Sequence, residues 1–289
     1  MSALWARGGG AIPSYKILKY PRTQHLEGSR LQPGDEDLSQ IPFDDIVGKT
    51  IVVEEKLDGA NTGVSFDADR TLLLLSRGHY LIGGVREKHY DLFKQWGAAH
   101  QTTLYDILGT RYILYGEWLY AKHSIFYDAL PHYFMEFDVY DRETQTFLDT
   151  SSRWSLLEGA PIVSVPVLKR GVFRKVAEIT SLIGKSNYIE EGHIKRLIDC
   201  CVESGVSIDV ATFETDPTTT MEGVYLKIEE DGKVVGRLKF VRPSFAQTID
   251  ASGSHWLNRP IVPNLLAYPL EALFESFLPD EIRTIRGNM

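Results

Sequence analysis

The sequence predicts an α+β protein built mainly on antiparallel sheet, and three observations carry that expectation. Strand-like runs at 50–55, 62–66 and 71–75 are joined by the turn signals Asp58-Gly59 and Asp67-Ala68-Asp69. A second hairpin pattern closes the region, with 223–229 and 234–241 flanking Glu230-Asp231-Gly232. Stretches of helical period interrupt these runs instead of alternating with them, and short connections permit antiparallel but not parallel pairing.

Residues 11–48 are rich in turn formers (Pro13, Pro21, Gly28, Pro33-Gly34, Pro42, Gly48) and read as an irregular lead-in. Over 88–108, Leu92, Phe93, Trp96, Leu104, Ile107 and Leu108 fall on one stripe, predicting a helix stopped by Gly109. Strands resume at 112–118 and 133–140. Ser151-Ser152 offers a cap for a short helix, and 162–168 reads as extended. Val176, Ile179, Leu182 and Ile183, then Ile194, Leu197, Ile198 and Cys201, give 173–204 a helical period. The run 265–277 predicts one helix before Pro279, with a short final helix after it. The expected division is a main domain over 1–245, with a helical insert near 170–205, and a small helical segment over 246–289.

The chain has 289 residues, of which 43% are hydrophobic and 24% charged, a soluble globular composition. No apolar run reaches the roughly 20 residues of a membrane helix, and residues 1–10 lack the apolar core of a secretory leader. Cys200 and Cys201 are adjacent, a spacing that suits neither a disulfide nor a zinc pair and points to a reducing, cytoplasmic setting. A net charge of −8 argues against a wholly cationic surface, yet local basic clusters remain. One is Arg7, Lys16, Lys19, Arg22 and Arg30; another includes Arg174, Lys175, Lys195 and Arg196. Such runs are most often solvated faces, and equally are where a polyanion lies.

Five stretches carry chemistry. Lys56 ends a strand-like run and precedes Asp58-Gly59, so backbone fixes it on both sides; by itself this also marks an ordinary hairpin turn. Ser76-Arg77-Gly78 ends a strand in a guanidinium suited to phosphate or carboxylate. Glu117 sits beside Gly116 near a strand end. In Phe134-Met135-Glu136-Phe137-Asp138, alternation puts Phe134, Glu136 and Asp138 on one face and Met135 and Phe137 on the other. The last hairpin has Glu222-Gly223 opening one arm, and Arg237 and Lys239 on a shared face of the other. Singly, these read as a surface carboxylate, a core ring and an edge-strand charge pair. In order, they supply an amine, a ribose acceptor, an aromatic plate, a metal-binding carboxylate and cations for a polyphosphate.

That ordered set, over about residues 50–242, resembles the covalent nucleotidyltransferase superfamily of polynucleotide ligases and capping enzymes, and within it the RNA ligase 2 group. Asn61 stands where DNA ligases usually carry arginine. Only 47 residues of the 289 follow Arg242, fewer than an oligonucleotide-binding barrel needs. The resemblance implies a nucleotidyltransferase (ATP-grasp-like) fold with a small helical C-terminal segment, ATP and Mg2+ (Mn2+ as the alternative) as cofactors, and RNA with 3′-OH and 5′-phosphate ends as substrate. It implies RNA repair, with an end-healing kinase or phosphatase as a conceivable partner and no membrane. By position, Lys56 matches the nucleophile, Glu55 a residue near adenine, and Asn61 one near the reacting phosphate. Arg77 matches a phosphate or ribose contact, Glu117 the ribose acceptor, Phe137 the adenine plate, and Glu222 a metal ligand. Lys239 matches the α-phosphate lysine. Arg237 replaces the usual partner lysine, and is wider and flatter than it.

An unperturbed lysine is neutral in about one part in 2,500 at pH 7. Packing Lys56 near Lys239, Arg237 and a metal is expected to lower its pKa and raise the reactive fraction. The alternatives are a DNA ligase, a capping-type guanylyltransferase, or an inactive nucleotide- or RNA-binding relative.

Overall fold

The lead-in is more regular than its turn formers suggest. In the computed structural model, which describes residues 17–31, 34–35, 37–245 and 260–275, it contains two short strands, β1 (Gln24–Leu26) and β2 (Gln40–Ile41). They pair with each other in parallel. The first expected hairpin region follows as β3 (Ile51–Lys56), β4 (Ala60–Phe66) and β5 (Leu72–Ser76).

The single helix expected over 88–108 is broken. A 3-10 turn at Val85–Tyr90 leads into α1 (Asp91–Ala99), and α2 (Gln101–Leu108) follows after His100. Gly109 ends it with φ +50°. β6 (Tyr112–Trp118) and β7 (Phe134–Asp141) match expectation, whereas β8 (Thr146–Leu148) carries too little pattern to be read from sequence. α3 (Thr150–Leu156) is capped by Asp149, whose carboxylate accepts from the Ser152 N–H at 2.8 Å; Ser151 and Ser152 lie inside the helix. β9 (Val163–Ser164) and β10 (Val167–Gly171) divide the extended run. The insert contains α4 (Val176–Thr180) and α5 (His193–Ser204), then α6 (Ile208–Phe213), capped by Ser207. β11 (Gly223–Glu230) and β12 (Lys233–Val241) form the final hairpin.

The main sheet path runs β10-β3-β11-β12-β8-β7-β6-β4-β5, with every neighbour on it antiparallel. Among the named strands, β1 pairs in parallel with β12 and with β2, and β7 with β9. The fold is therefore α+β with a large, mainly antiparallel sheet, as the sequence predicts. One core lies under β4–β7, where Phe93 and Trp96 of α1 stack on Phe134. A second lies under β3, β11 and β12, closed by Phe43 and Ile46 of the lead-in and Ile179 of α4. On the opposite face of β6 and β7 a smaller cluster gathers Tyr20, Ile113 and Tyr115.

The C-terminal segment departs from expectation where it is described. Residues 265–269 are not helical, because Leu266 bridges Leu130; Pro269 then opens a 3-10 turn at Leu270–Phe274. This stretch packs on the main body. The Asn264 side chain is fully buried, accepting from the Tyr127 N–H at 2.9 Å and donating to the Leu119 carbonyl at 2.7 Å. The expected boundary at 245 falls where the described residues stop, and the short final helix lies outside them.

Candidate active site

The β3–β11 register sets the centre of the site. Lys56 pairs with Gly223, and Glu222, one residue before Gly223, meets the amine: Lys56 Nζ donates to Glu222 Oε2 at 2.7 Å. Glu222 is fully buried and the Lys56 side chain is 17% exposed, so the amine is held yet reachable. Gly223 must be glycine, since a Cβ there would run into the Phe240 carbonyl of β12.

After β3 the chain turns beneath β6. A Cβ at Gly59 would lie 2.7 Å from the Trp118 carbonyl oxygen and 3.0 Å from Glu117 Cγ, so only glycine permits this approach. The Gly59 N–H donates to Glu117 Oε1 at 3.1 Å. Asp58 is buried and accepts from the Ser124 and Ile125 N–H groups at 2.7 and 2.9 Å, while its own N–H donates to the Tyr127 hydroxyl at 2.9 Å. The lysine turn is thus clamped to the 123–127 stretch.

Around the amine the charges are mostly negative. Burial opposes the Lys56 charge, but Glu222, Glu117 and Asp58 outweigh it and hold the pKa above the ordinary lysine value. The expectation of a lowered pKa is therefore reversed in the free protein, because carboxylates surround the amine. Burial pushes Glu117 up to about 8, against the pull of Lys56 and Arg77. Lys239 lies close enough for burial and the Lys56 charge to hold its pKa down, and its Nζ pairs with Asp35. Arg77, exposed at the end of β5, faces Glu117 electrostatically. Asn61 pairs with Glu117 across β4 and β6, on the same face.

Three expected residues lie apart from this cluster. Arg237 does not press on Lys56: its Nε donates to Asp138 Oδ2 at 3.0 Å, and the guanidinium lies 3.9 Å over the Phe147 ring. Glu55 points to the other face of β3, where burial pushes its carboxyl up to about 7 despite a hydrogen bond with Ser186. Phe137 sits at a β-bulge. Tyr115 pairs with Asp138 and Gly116 with Glu136, leaving Phe137 as the extra residue and breaking the alternation expected over 134–138. Its ring meets Tyr20 edge-on at 5.0 Å, and its carbonyl accepts from Lys227 Nζ.

Sequence reasoning missed a closed ion network beside the site. Arg153 pairs with Glu54 (2.7 Å) and Glu136 (3.2 Å), and Lys227 with Glu54 (2.9 Å) and Asp138 (3.4 Å). All five are buried. It also missed Asp35, because nothing in a turn-rich lead-in announces a partner some 200 residues away. The second basic cluster is divided: Arg174, Lys175 and Lys195 are exposed, but Arg196 donates to Asp128 at 2.5 Å and is committed to the fold. Arg7 and Lys16 lie outside the described residues.

The RNA ligase family profile matches residues 49–241, two thirds of the chain, a span holding every site residue from Lys56 to Lys239. The chain belongs to the RNA ligase family. No curated protein matches the sequence. Among solved structures, this family member is similar to a Naegleria gruberi RNA ligase with pyrophosphate at 18% identity, covering 84% of this chain and 62% of that one, TM-score 0.46. A mutant of the Naegleria ligase with ATP and Mn matches at 18% identity, covering 70% and 52%, TM-score 0.44. An archaeal ATP-dependent RNA ligase matches at 15%, covering 77% and 48%, TM-score 0.47. The chain spans about half to three fifths of the length of these solved ligases.

Proposed function

We propose that this family member is an ATP-dependent RNA ligase that joins 3′-OH and 5′-phosphate ends through a lysyl–AMP intermediate on Lys56. The observation that carries the reading is one amine fixed at the end of β3, 2.7 Å from a buried carboxylate and within the field of Glu117, Asp58 and Lys239.

In this reading Lys56 reacts as the neutral amine, its proton passing to solvent at the open edge of the site. Its nitrogen then attacks the α-phosphorus of ATP; an N–P bond forms, the α–β bridging P–O bond breaks, and pyrophosphate leaves with the electron pair. Lys239 holds the charge on the α-phosphate, and Glu117 accepts from the ribose hydroxyls. Arg77 and Asn61 face the same opening. A 5′-phosphate oxygen of RNA next attacks the adenylate phosphorus and releases the amine. The 3′-hydroxyl then attacks the RNA phosphorus, and AMP departs. Positioning and charge neutralisation supply most of the rate.

A divalent cation suits the carboxylate excess at the amine. Among the described residues no group of three or more His, Cys, Asp or Glu is placed to hold a metal by itself. Glu222 would share it with phosphate oxygens and waters, a coordination typical of magnesium. Bound there, the metal would neutralise charge on the phosphates and on Glu222.

Arg174, Lys175 and Lys195 form the RNA path in this reading. The buried, unbridged Cys200 and Cys201 favour a reducing cytoplasm, and a role in RNA repair beside an end-healing enzyme follows from the end chemistry. Among the described residues no helix is long and apolar enough to cross a membrane. The test is mass measurement after incubation with ATP or GTP and magnesium. The expected result is an added AMP on wild type and none on Lys56→Ala; a GMP adduct instead supports a capping enzyme. Nicks with RNA or DNA on the 3′-OH side then separate the ligases.

A further inference from the structure

The lead-in holds Lys239 through a ring of contacts that begins and ends on the same strand. Lys239 Nζ pairs with Asp35. Asp35 Oδ2 also accepts from His25 Nε2 at 3.1 Å. His25 is fully buried, and its Nδ1 meets Ser29 Oγ at 2.7 Å. Ser29 Oγ accepts from the Val241 N–H at 2.9 Å, two residues from Lys239 on β12. Val241 N–H donates to Ser29, and the His25 ring bridges Ser29 to Asp35. β1 pairs in parallel with β12, placing His25 opposite Lys239 and fixing the register of the ring.

We infer that Asp35 is a positioning residue, which aims the Lys239 ammonium at the reacting phosphate. The inference rests on the ligase reading, in which Lys239 meets the α-phosphate. An ammonium has three N–H donors; Asp35 takes one and leaves two to point away from it. A carboxylate that merely blocked the site would need freedom to leave. Asp35 is instead tied to β12 by the buried imidazole and the serine, with Arg22 NH2 3.4 Å from its other oxygen. The groups facing Lys239 are Asp35 from the lead-in, Lys56 from β3 and Glu222 at the start of β11. Asp35 offsets the repulsion from Lys56 that would otherwise push the Lys239 side chain aside.

The experiment measures the rate of AMP adduct formation with ATP and magnesium for wild type, Asp35→Asn, Asp35→Glu, Lys239→Ala and the Lys239→Ala/Asp35→Asn double variant. Losing a charge-assisted hydrogen bond predicts that Asp35→Asn lowers the saturated rate by about tenfold or more, with ATP half-saturation changed less than about twofold. Asp35→Glu recovers most of the rate. On the Lys239→Ala background Asp35→Asn costs nothing further, because Asp35 acts only through Lys239. A purely structural role would move the melting temperature and add its loss to that of Lys239→Ala. If Asp35→Asn is not recovered folded, His25→Gln, which loosens Asp35 and keeps its charge, is expected to show the same rate loss at smaller size. Adduct formation by Asp35→Asn at or above the wild-type rate overturns the inference and makes Asp35 a displaceable block. Absence of any adduct on wild type overturns the ligase reading, and this inference with it.

Discussion

Two neighbouring sets of charges share the sheet formed by β3, β11 and β12, and they differ in closure. In one, Arg153, Lys227 and Arg237 face Glu54, Glu136 and Asp138, three positive groups against three negative, and nearly all are sealed from solvent. In the other, Lys56, Lys239 and the exposed Arg77 face Glu222, Glu117, Asp58 and Asp35, with the amine partly open. Charges closed off from solvent hold strands in register; an accessible set can take a partner from outside. Arg237 marks the border. On β12 it sits two residues from Lys239, but Asp138 draws it into the closed set.

The sharpest way to break this contrast is to remove one cation from each side. Lys56→Ala is expected to abolish adduct formation, by more than about a thousandfold given the loss of the nucleophile, and to lower the melting temperature less than Arg153→Met, because its amine is partly open to solvent and pairs with one carboxylate. Arg153→Met is expected to do the reverse. It leaves Glu54 and Glu136 buried without their guanidinium and costs about 3–5 kcal/mol, read as a large drop in melting temperature, while the protein that remains folded still forms the adduct. Loss of stability in Lys56→Ala equal to that in Arg153→Met would erase the distinction.

Single carboxylates near this border respond oppositely to pH. Burial raises the Asp138 pKa, but Arg237, Lys227 and Arg153 outweigh it and bring it to about 2. Its stabilising contribution is present above the unfolded value near 3.9 and is lost as pH falls through about 2. Glu117, at about 8, and Glu55, at about 7, behave in the other sense. Between their unfolded value near 4.3 and these folded values the native state holds protons that the unfolded chain releases, so stability falls as pH rises from about 5 to 8. A Glu117→Gln variant should flatten that decline in melting temperature. An unchanged slope would mean that Glu117 is ionised in the folded protein.

The contrast also explains how far the sequence could be read. Lys56, Gly59, Glu117 and Glu222 were legible because each sits near a strand end beside a glycine or turn, and such punctuation survives in one dimension; Lys239 was legible only from its place in the ordered set. The strands β3–β7, β11 and β12 were legible as strand-like runs bounded by turn signals. Phe137 misled, because a bulge shifts the period by one residue and leaves no mark in composition. Arg237 misled because shared strand parity with Lys239 says nothing of which carboxylate it meets across the sheet. The short strands β1, β2 and β8, of two or three residues, exist through their partners alone. The partnerships of Asp35 and Arg153 depend on contacts that span about 200 and 99 residues, which no local pattern encodes.

The smallest expected effect lies on the surface, where the same closed-versus-open distinction divides one basic cluster. Arg196 is committed to Asp128, with Glu190 3.4 Å away, whereas Arg174, Lys175 and Lys195 are exposed. If the exposed three line an RNA path, neutralising them together should weaken single-stranded RNA binding and reduce the magnitude of its log–log salt slope by about 2, since each phosphate contact contributes about 0.7. Arg196→Ala should leave that slope alone and instead lower the melting temperature, because it strips the partner from a buried Asp128. Equal salt slopes for the triple variant and wild type would assign these three cations to a solvated face and place the RNA path elsewhere on the molecule.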